Sequence, residues 1–195
     1  MRKRTTSGWS AALMTCAVAL FWPALSGAQT VSGSARAVQA TIASGQGIST
    51  TQLADTGTLG GATDAREASA AEGSIPSVLS GQTLHATTIG WSDQVSSEAS
   101  IAALAITVGG NTITADFVQA RAISASRRSV AATSVDGLVI NGSVIDVSGS
   151  ANQTITIPGG TIIINEQVGS VVNALHIIIN GEADVVIASV NASVQ

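Results

Sequence analysis

The sequence predicts an all-β protein, an antiparallel β-sandwich or partly closed barrel built from successive hairpins. Three observations point there. Short β-branched runs recur along the second half of the chain, divided by Asn-Gly, Gly-Gly-Asn and Pro-Gly-Gly turns. No stretch carries a sustained amphipathic helical period. No fixed repeat length connects the hairpins, which sets a solenoid aside.

The first residues read as an address. Arg2, Lys3 and Arg4 make a positive start, Ala11 to Phe21 an apolar run, and Ser26-Gly27-Ala28 a small-residue cleavage site. That is the layout of a secretory signal peptide over residues 1–28, cut before Gln29. The apolar run is shorter than the roughly 20 residues a spanning helix needs. Cys16 lies inside that run, so the exported chain has no thiol and no disulfide to lean on. Residues 29–195 form one domain by length, large enough to bury about 70% of its unfolded surface.

The exported part holds five Arg, no Lys and all twelve acids, a formal charge of −7. No basic patch survives to bind nucleic acid or an anionic membrane. Tyr is absent, and Trp91 and Phe117 are the remaining aromatics, so the core must be Ile, Val, Leu and Ala.

Along the chain, Ala35 to Ile42 alternates with a period near two and reads as an opening strand. The turn-rich stretch 44–61 reads as a loop. Asp64-Ala65-Arg66-Glu67 has the spacing of a helix start that Gly73 would close; a small-residue strand from Arg66 to Ser74 fits equally. Thr83 to Ile89 reads as a strand. Ile101 to Val108 and Thr112 to Ser126 form a long hairpin about Gly109-Gly110-Asn111. After Phe117 its second strand changes phase, the signature of a β-bulge. Arg127-Arg128 at the strand end reads as a solvated rim.

Leu138 to Ile140 and Val144-Ile145 flank Asn141-Gly142. Thr154 to Ile157 and Thr161 to Ile164 flank Pro158-Gly159-Gly160; with Gly159-Gly160 as the turn, Ile157 would face Ile162. The closing hairpin, Val172 to Ala188 about Asn180-Gly181, holds Ile177-Ile178-Ile179 and Val185-Val186-Ile187 in unbroken runs. Such runs predict strands buried on both faces, with Asp184 to Ala188 interior to its sheet.

Asn173-Ala174-Leu175-His176 followed by Ala183 to Ser189 resembles the bacterial choice-of-anchor P family. Thr114-Ala115-Asp116, Leu138 to Gly142 and Ile164-Asn165-Glu166-Gln167 match it in the same order. The resemblance implies an exported β-domain, secreted or held at the cell surface; it supplies no activity and no catalytic residues. The chain ends at Val194-Gln195 without the sortase motif, apolar tail or basic end of anchored members, so covalent anchoring is not expected.

Little in the sequence carries chemistry. His85 and His176 each stand alone in a strand, with Glu182 or Asp184 the only acids placed to cross the turn to His176, whereas zinc wants three or four ligands, often in close pairs. There is no Gly-x-Ser-x-Gly elbow, and Gly57-x-x-Gly60 lacks the Lys-Ser/Thr of a phosphate loop. No cofactor is implied. Asp116, Asp136, Asp146, Asn165 and Glu166 at strand ends are weak candidates for calcium, without an Asp-x-Asp-x-Asp-Gly loop. Trp91, after Gly90 and before Ser92-Asp93, is the one candidate for a ligand contact, carbohydrate included. Isolated Thr-x-Thr pairs lack the regular array that ice binding needs. The expectation is a non-enzymatic, exported structural, matrix or adhesive protein that self-associates or meets other surface components. A secreted ligand-binding module is the alternative.

Overall fold

A computed structural model describes residues 29–126 and 128–195. The signal-peptide reading and Arg127 lie outside them. Thirteen strands make two antiparallel sheets packed face to face, a sandwich rather than a barrel. They are β1 Val31–Ser44, β2 Gly47–Thr58, β3 Ala65–Ile75, β4 Leu79–Gly90, β5 Gln94–Val108, β6 Asn111–Ala125 and β7 Arg128–Asp136. Then come β8 Val139–Ile140, β9 Ser143–Val144, β10 Gln153–Ile157, β11 Gly160–Val168, β12 Val171–Ile179 and β13 Ala183–Val194. One sheet runs β10-β11-β12-β13-β1-β2; the other runs β3-β4-β5-β6-β8-β9, with β7 also paired to β6. No helix among the described residues is long and apolar enough to cross a membrane.

The closing strand is interior, as its sequence predicts. β13 pairs with β12 on one side and β1 on the other, so the last strand of the chain knits the first into the sheet. The core between the sheets is aliphatic: Ile101, Leu104, Ile113, Ile162, Leu175, Ile177 and Ile187 are almost fully buried. Each such side chain contributes about 1.5–3 kcal/mol on burial.

Several expectations are corrected. Residues 44–61 are not a loop: Gly45-Gln46 is a two-residue turn, and β2 pairs with β1 from Ser44↔Gly47 onward. A strand at the edge of a sheet needs no apolar outer face, so Ser and Thr serve there. The helix alternative at 64–73 gives way to β3, paired along β4. β7 is a strand that the sequence reading leaves unassigned. In the β10–β11 hairpin Ile157 pairs with Gly160, and Ile155 rather than Ile157 faces Ile162. The turn is therefore Pro158-Gly159, with positive φ at Gly159 as a type II turn requires. In the closing hairpin Ile179 pairs with Ala183. Its loop thus has three residues, and of Asn180 and Gly181 only Gly181 has positive φ.

The unbroken apolar runs do not mean burial on both faces either. Val186 and Ile178 point outward and are half-buried, while Val185, Ile187 and Ala188 point inward. Ile187 and Ala188 are successive residues, both buried, because the pleat reverses there. Ala188 has φ 50°, and the register skips it: Ile187 pairs with Val38 and Ser189 with Arg36. The same skip crosses five of the six strands through Asn165, Ala174, Ala188, Ala37 and Ala54, and every second one is left-handed. The result is a transverse crease that turns two successive residues of each strand inward.

The second sheet has the opposite crease. Ala71-Glu72, Gln82-Thr83, Ala102-Ala103 and Asp116-Phe117 are successive pairs turned outward, with Thr83 and Ala103 left-handed. The phase change expected near Phe117 is real, but it is not a bulge in β6 against β5. Both strands reverse at the same level, so their register is unbroken: Ala102 pairs with Phe117 and Leu104 with Ala115. Ser97 Oγ donates to the Asn191 carbonyl at 2.7 Å and Gly109 N to Glu182 Oε1 at 3.0 Å. Between those two contacts β13 packs over β5, and both the inward crease at Ala188 and the outward crease at Ala103 fall within that interval. Leu53, beside Ala54, likewise reaches Gly73, beside Glu72.

Candidate functional site

The outer face of the first sheet carries the densest polar grouping among the described residues. Because the crease turns Ala174 and Leu175 inward, Asn173 and His176 of β12 both face outward, beside Glu166 of β11. Glu166 Oε2 lies 2.9 Å from His176 Nδ1 and accepts from Asn173 Nδ2 at 2.6 Å. Asp184 Oδ1 of β13 lies 3.2 Å from His176 Nε2. The His176 and Glu166 side chains are only about 15% exposed, Asp184 about half. The ring thus bridges the carboxylates of β11 and β13, one at each nitrogen. Among the described residues no side-chain hydroxyl or thiol is hydrogen-bonded to the ring.

Across the same face, Arg36 of β1 pairs with Asp55 of β2 at 3.2 Å and also donates to Gln39, with the Gln52 amide alongside. These groups tie β1 to β2 as His176 ties β11, β12 and β13. Their arrangement is that of cross-strand pairs that stabilise a sheet.

The residues singled out in the sequence are scattered. Trp91 lies in the β4–β5 turn, its backbone N–H donating to the Gln94 carbonyl at 2.7 Å, and is 42% exposed. Asp116 stands at the outward crease with its carboxylate against Gly137, close to Asp136, which pairs across to Phe117. Asp146 follows β9, where its carbonyl accepts from Gln153. Asn165 points inward and donates to the Gly149 carbonyl, while its neighbour Glu166 points outward to His176. Of these only Asp116 and Asp136 sit on adjacent positions of neighbouring strands, Asp116 against Gly137 and Asp136 paired with Phe117. Among the described residues no three His, Cys, Asp or Glu side chains are placed to hold a metal. His85 is 3.8 Å from Glu67 on the outer face of the other sheet.

Sequence reasoning misses Glu166 as the partner of His176. Asp184 is foreseeable from the turn, but Glu166 becomes a neighbour only through the β11–β12 register.

The sheet edges are the other feature of note. β2 ends the first sheet, and from Gly47 to Ala54 it has no charged residue, with Ile48 76% exposed. β7, on the opposite flank and in the other sheet, has none from Ser129 to Val135, with Val130 56% exposed. The remaining edges differ. β3 carries Arg66, Glu67 and Glu72, β10 is five residues long and β9 only two. Charge and shortness are the usual devices that keep an edge from pairing with another chain.

The chain matches no protein-family model, no curated protein and no solved structure.

Proposed function

We propose that this chain is an exported, non-enzymatic structural protein of a bacterial surface or matrix, working by association rather than by chemistry. The observation that carries the reading is the β2 edge: eight successive uncharged residues, without Lys or Pro, on an open strand. The signal-like residues 1–28 and the resemblance to choice-of-anchor P proteins support export. His176, bonded on both ring nitrogens to Glu166 and Asp184, suits a cross-strand tie within a structural sheet. Fractionation of cells making the protein tests it. The expected result is protein retained at the surface or in insoluble extracellular material; protein confined to the cytoplasm would sink the reading.

A second reading rests on Trp91. An indole 42% exposed in a turn, beside exposed Ser92 and Asp93, suits contact with a sugar ring. A glycan array on which wild type and Trp91→Ala behave alike would remove it.

A further inference from the structure

Building on that reading, we propose that copies of this chain join head to tail, the β2 edge of one pairing antiparallel with the β7 edge of the next. An edge strand presents a row of backbone N–H and C=O groups whose natural complement is another extended strand. Each molecule carries two edges with long uncharged stretches, 47–54 on β2 and 129–135 on β7, and they are not equivalent. β2 closes the first sheet on the flank where it lies over β3 and β4; β7 belongs to the second sheet on the other flank, where β12 lies over it. Two different edges on opposite flanks make a heterologous contact. Such a contact repeats instead of closing, giving an extended array rather than a dimer.

Charge chooses the direction. Antiparallel pairing carries the Asp55 end of β2 to the Arg128 end of β7 and leaves uncharged Gly47 near Asp136. Parallel pairing would set Asp55 against Asp136, like charge to like. The faces agree as well. Ile48, Thr50 and Gln52 are outward on β2, being paired with Ala43, Thr41 and Gln39. Val130, Ala132 and Ser134 are outward on β7, being paired with Ile123, Arg121 and Gln119. Alignment of these two triplets sets Ile48 opposite Ser134, Thr50 opposite Ala132 and Gln52 opposite Val130, and makes one continuous outer surface that covers part of each exposed Ile48 and Val130 side chain.

The test uses sedimentation velocity on the purified protein across a wide concentration range, with two edge-blocked variants. One is Ile48→Lys with Thr50→Lys on β2; the other is Val130→Lys with Ala132→Lys on β7. All four positions are exposed, and circular dichroism melts checks that both variants stay folded. Wild type should show a ladder of species growing with concentration. Each variant alone should be monomeric, and an equimolar mixture should form dimers and stop there, since only one complementary pair of edges remains. Arg128→Glu should weaken wild-type assembly at least tenfold. A wild type that is monomeric throughout overturns the joint, while its surface retention remains a separate result. Assembly unchanged in both variants overturns the choice of edges. A wild type that stops at dimers, lost on blocking β2 and kept on blocking β7, overturns the head-to-tail arrangement in favour of a two-fold β2 contact.

Discussion

Asn111 reaches from one sheet to the other: its Nδ2 donates to the Pro158 carbonyl at 2.9 Å, across the end of the sandwich. The same nitrogen donates to the Gly109 carbonyl, and Oδ1 accepts from Asn141 Nδ2 at 2.9 Å. Asn141 Oδ1 in turn accepts from Thr112 N. Three hairpin ends, β5–β6, β8–β9 and β10–β11, are thereby pinned through one fully buried amide. Asn111→Ala removes partners from two carbonyls and one amide at once, so a loss of about 2–4 kcal/mol is expected in urea melting. Asn141→Ala, at a more open position, should cost about 1 kcal/mol. Equal costs for the two would mean that burial at Asn111 is not what sets its value.

The two faces of β13 separate just as sharply. Val185 faces the core with no exposure, and Val186, one residue on, lies between His176 and Gln39 on the outer face. Val185→Asp should cost about 4 kcal/mol or more by burying an unpaired charge, while Val186→Asp should cost about 1 kcal/mol. Deleting Asp184 to Gln195 strips β1 and β12 of their common partner and should abolish cooperative unfolding by circular dichroism. A truncated chain with a wild-type midpoint would place β13 at the periphery.

What was legible in the sequence was what local chemistry decides. Asn141-Gly142 forms a two-residue turn with positive φ at both positions, as that pair favours, and Gly109-Gly110 does the same. The all-β class follows from such turns and from β-branched runs. β2 escaped notice because Ser-Thr-Thr-Gln at a sheet edge looks like a loop when only apolar alternation is sought. The creases escaped because a left-handed Ala leaves no compositional mark; Ile187-Ala188 and Ala37-Val38 look like two-face burial when each is a reversal of the pleat. The His176 site was half legible. Asp184 lies across a recognisable turn, but Glu166 depends on the β11–β12 register, which no local signal states.

At the β2–β3 connection the Gly60 N–H donates to Asp64 Oδ2 at 2.7 Å, and Arg66 Nε donates to the same oxygen at 2.9 Å. The Gly60 amide first, then the Arg66 guanidinium, hold the Asp64 carboxyl below its ordinary value. A carboxyl lowered by folding adds stability that is fully present above its unfolded pKa of about 3.9 and is lost as pH falls through the folded value. Asp64→Asn should therefore lower the melting temperature at neutral pH and shallow its fall below about pH 4, so that variant and wild type converge in acid. Melting temperatures that coincide for variant and wild type at neutral pH as well as in acid would show that this connection contributes nothing to folding.

Ala103 offers the cleanest test of the creases. It is exposed, mid-strand and left-handed at φ 48°, between buried Ile101 and Leu104. An L-residue held there costs about 1–2 kcal/mol that Gly does not incur. Glycine elsewhere in a strand costs about 0.5–1 kcal/mol instead. Ala103→Gly should thus leave stability unchanged or raise it by up to about 1 kcal/mol, whereas Ala105→Gly, exposed two residues on, should lower it. Ala103→Val, branched at Cβ and forced to positive φ, should cost about 2 kcal/mol or more. Urea midpoints for the three variants decide the matter: a loss at Ala103→Gly equal to that at Ala105→Gly would mean that the crease does not hold Ala103 in the left-handed region in solution.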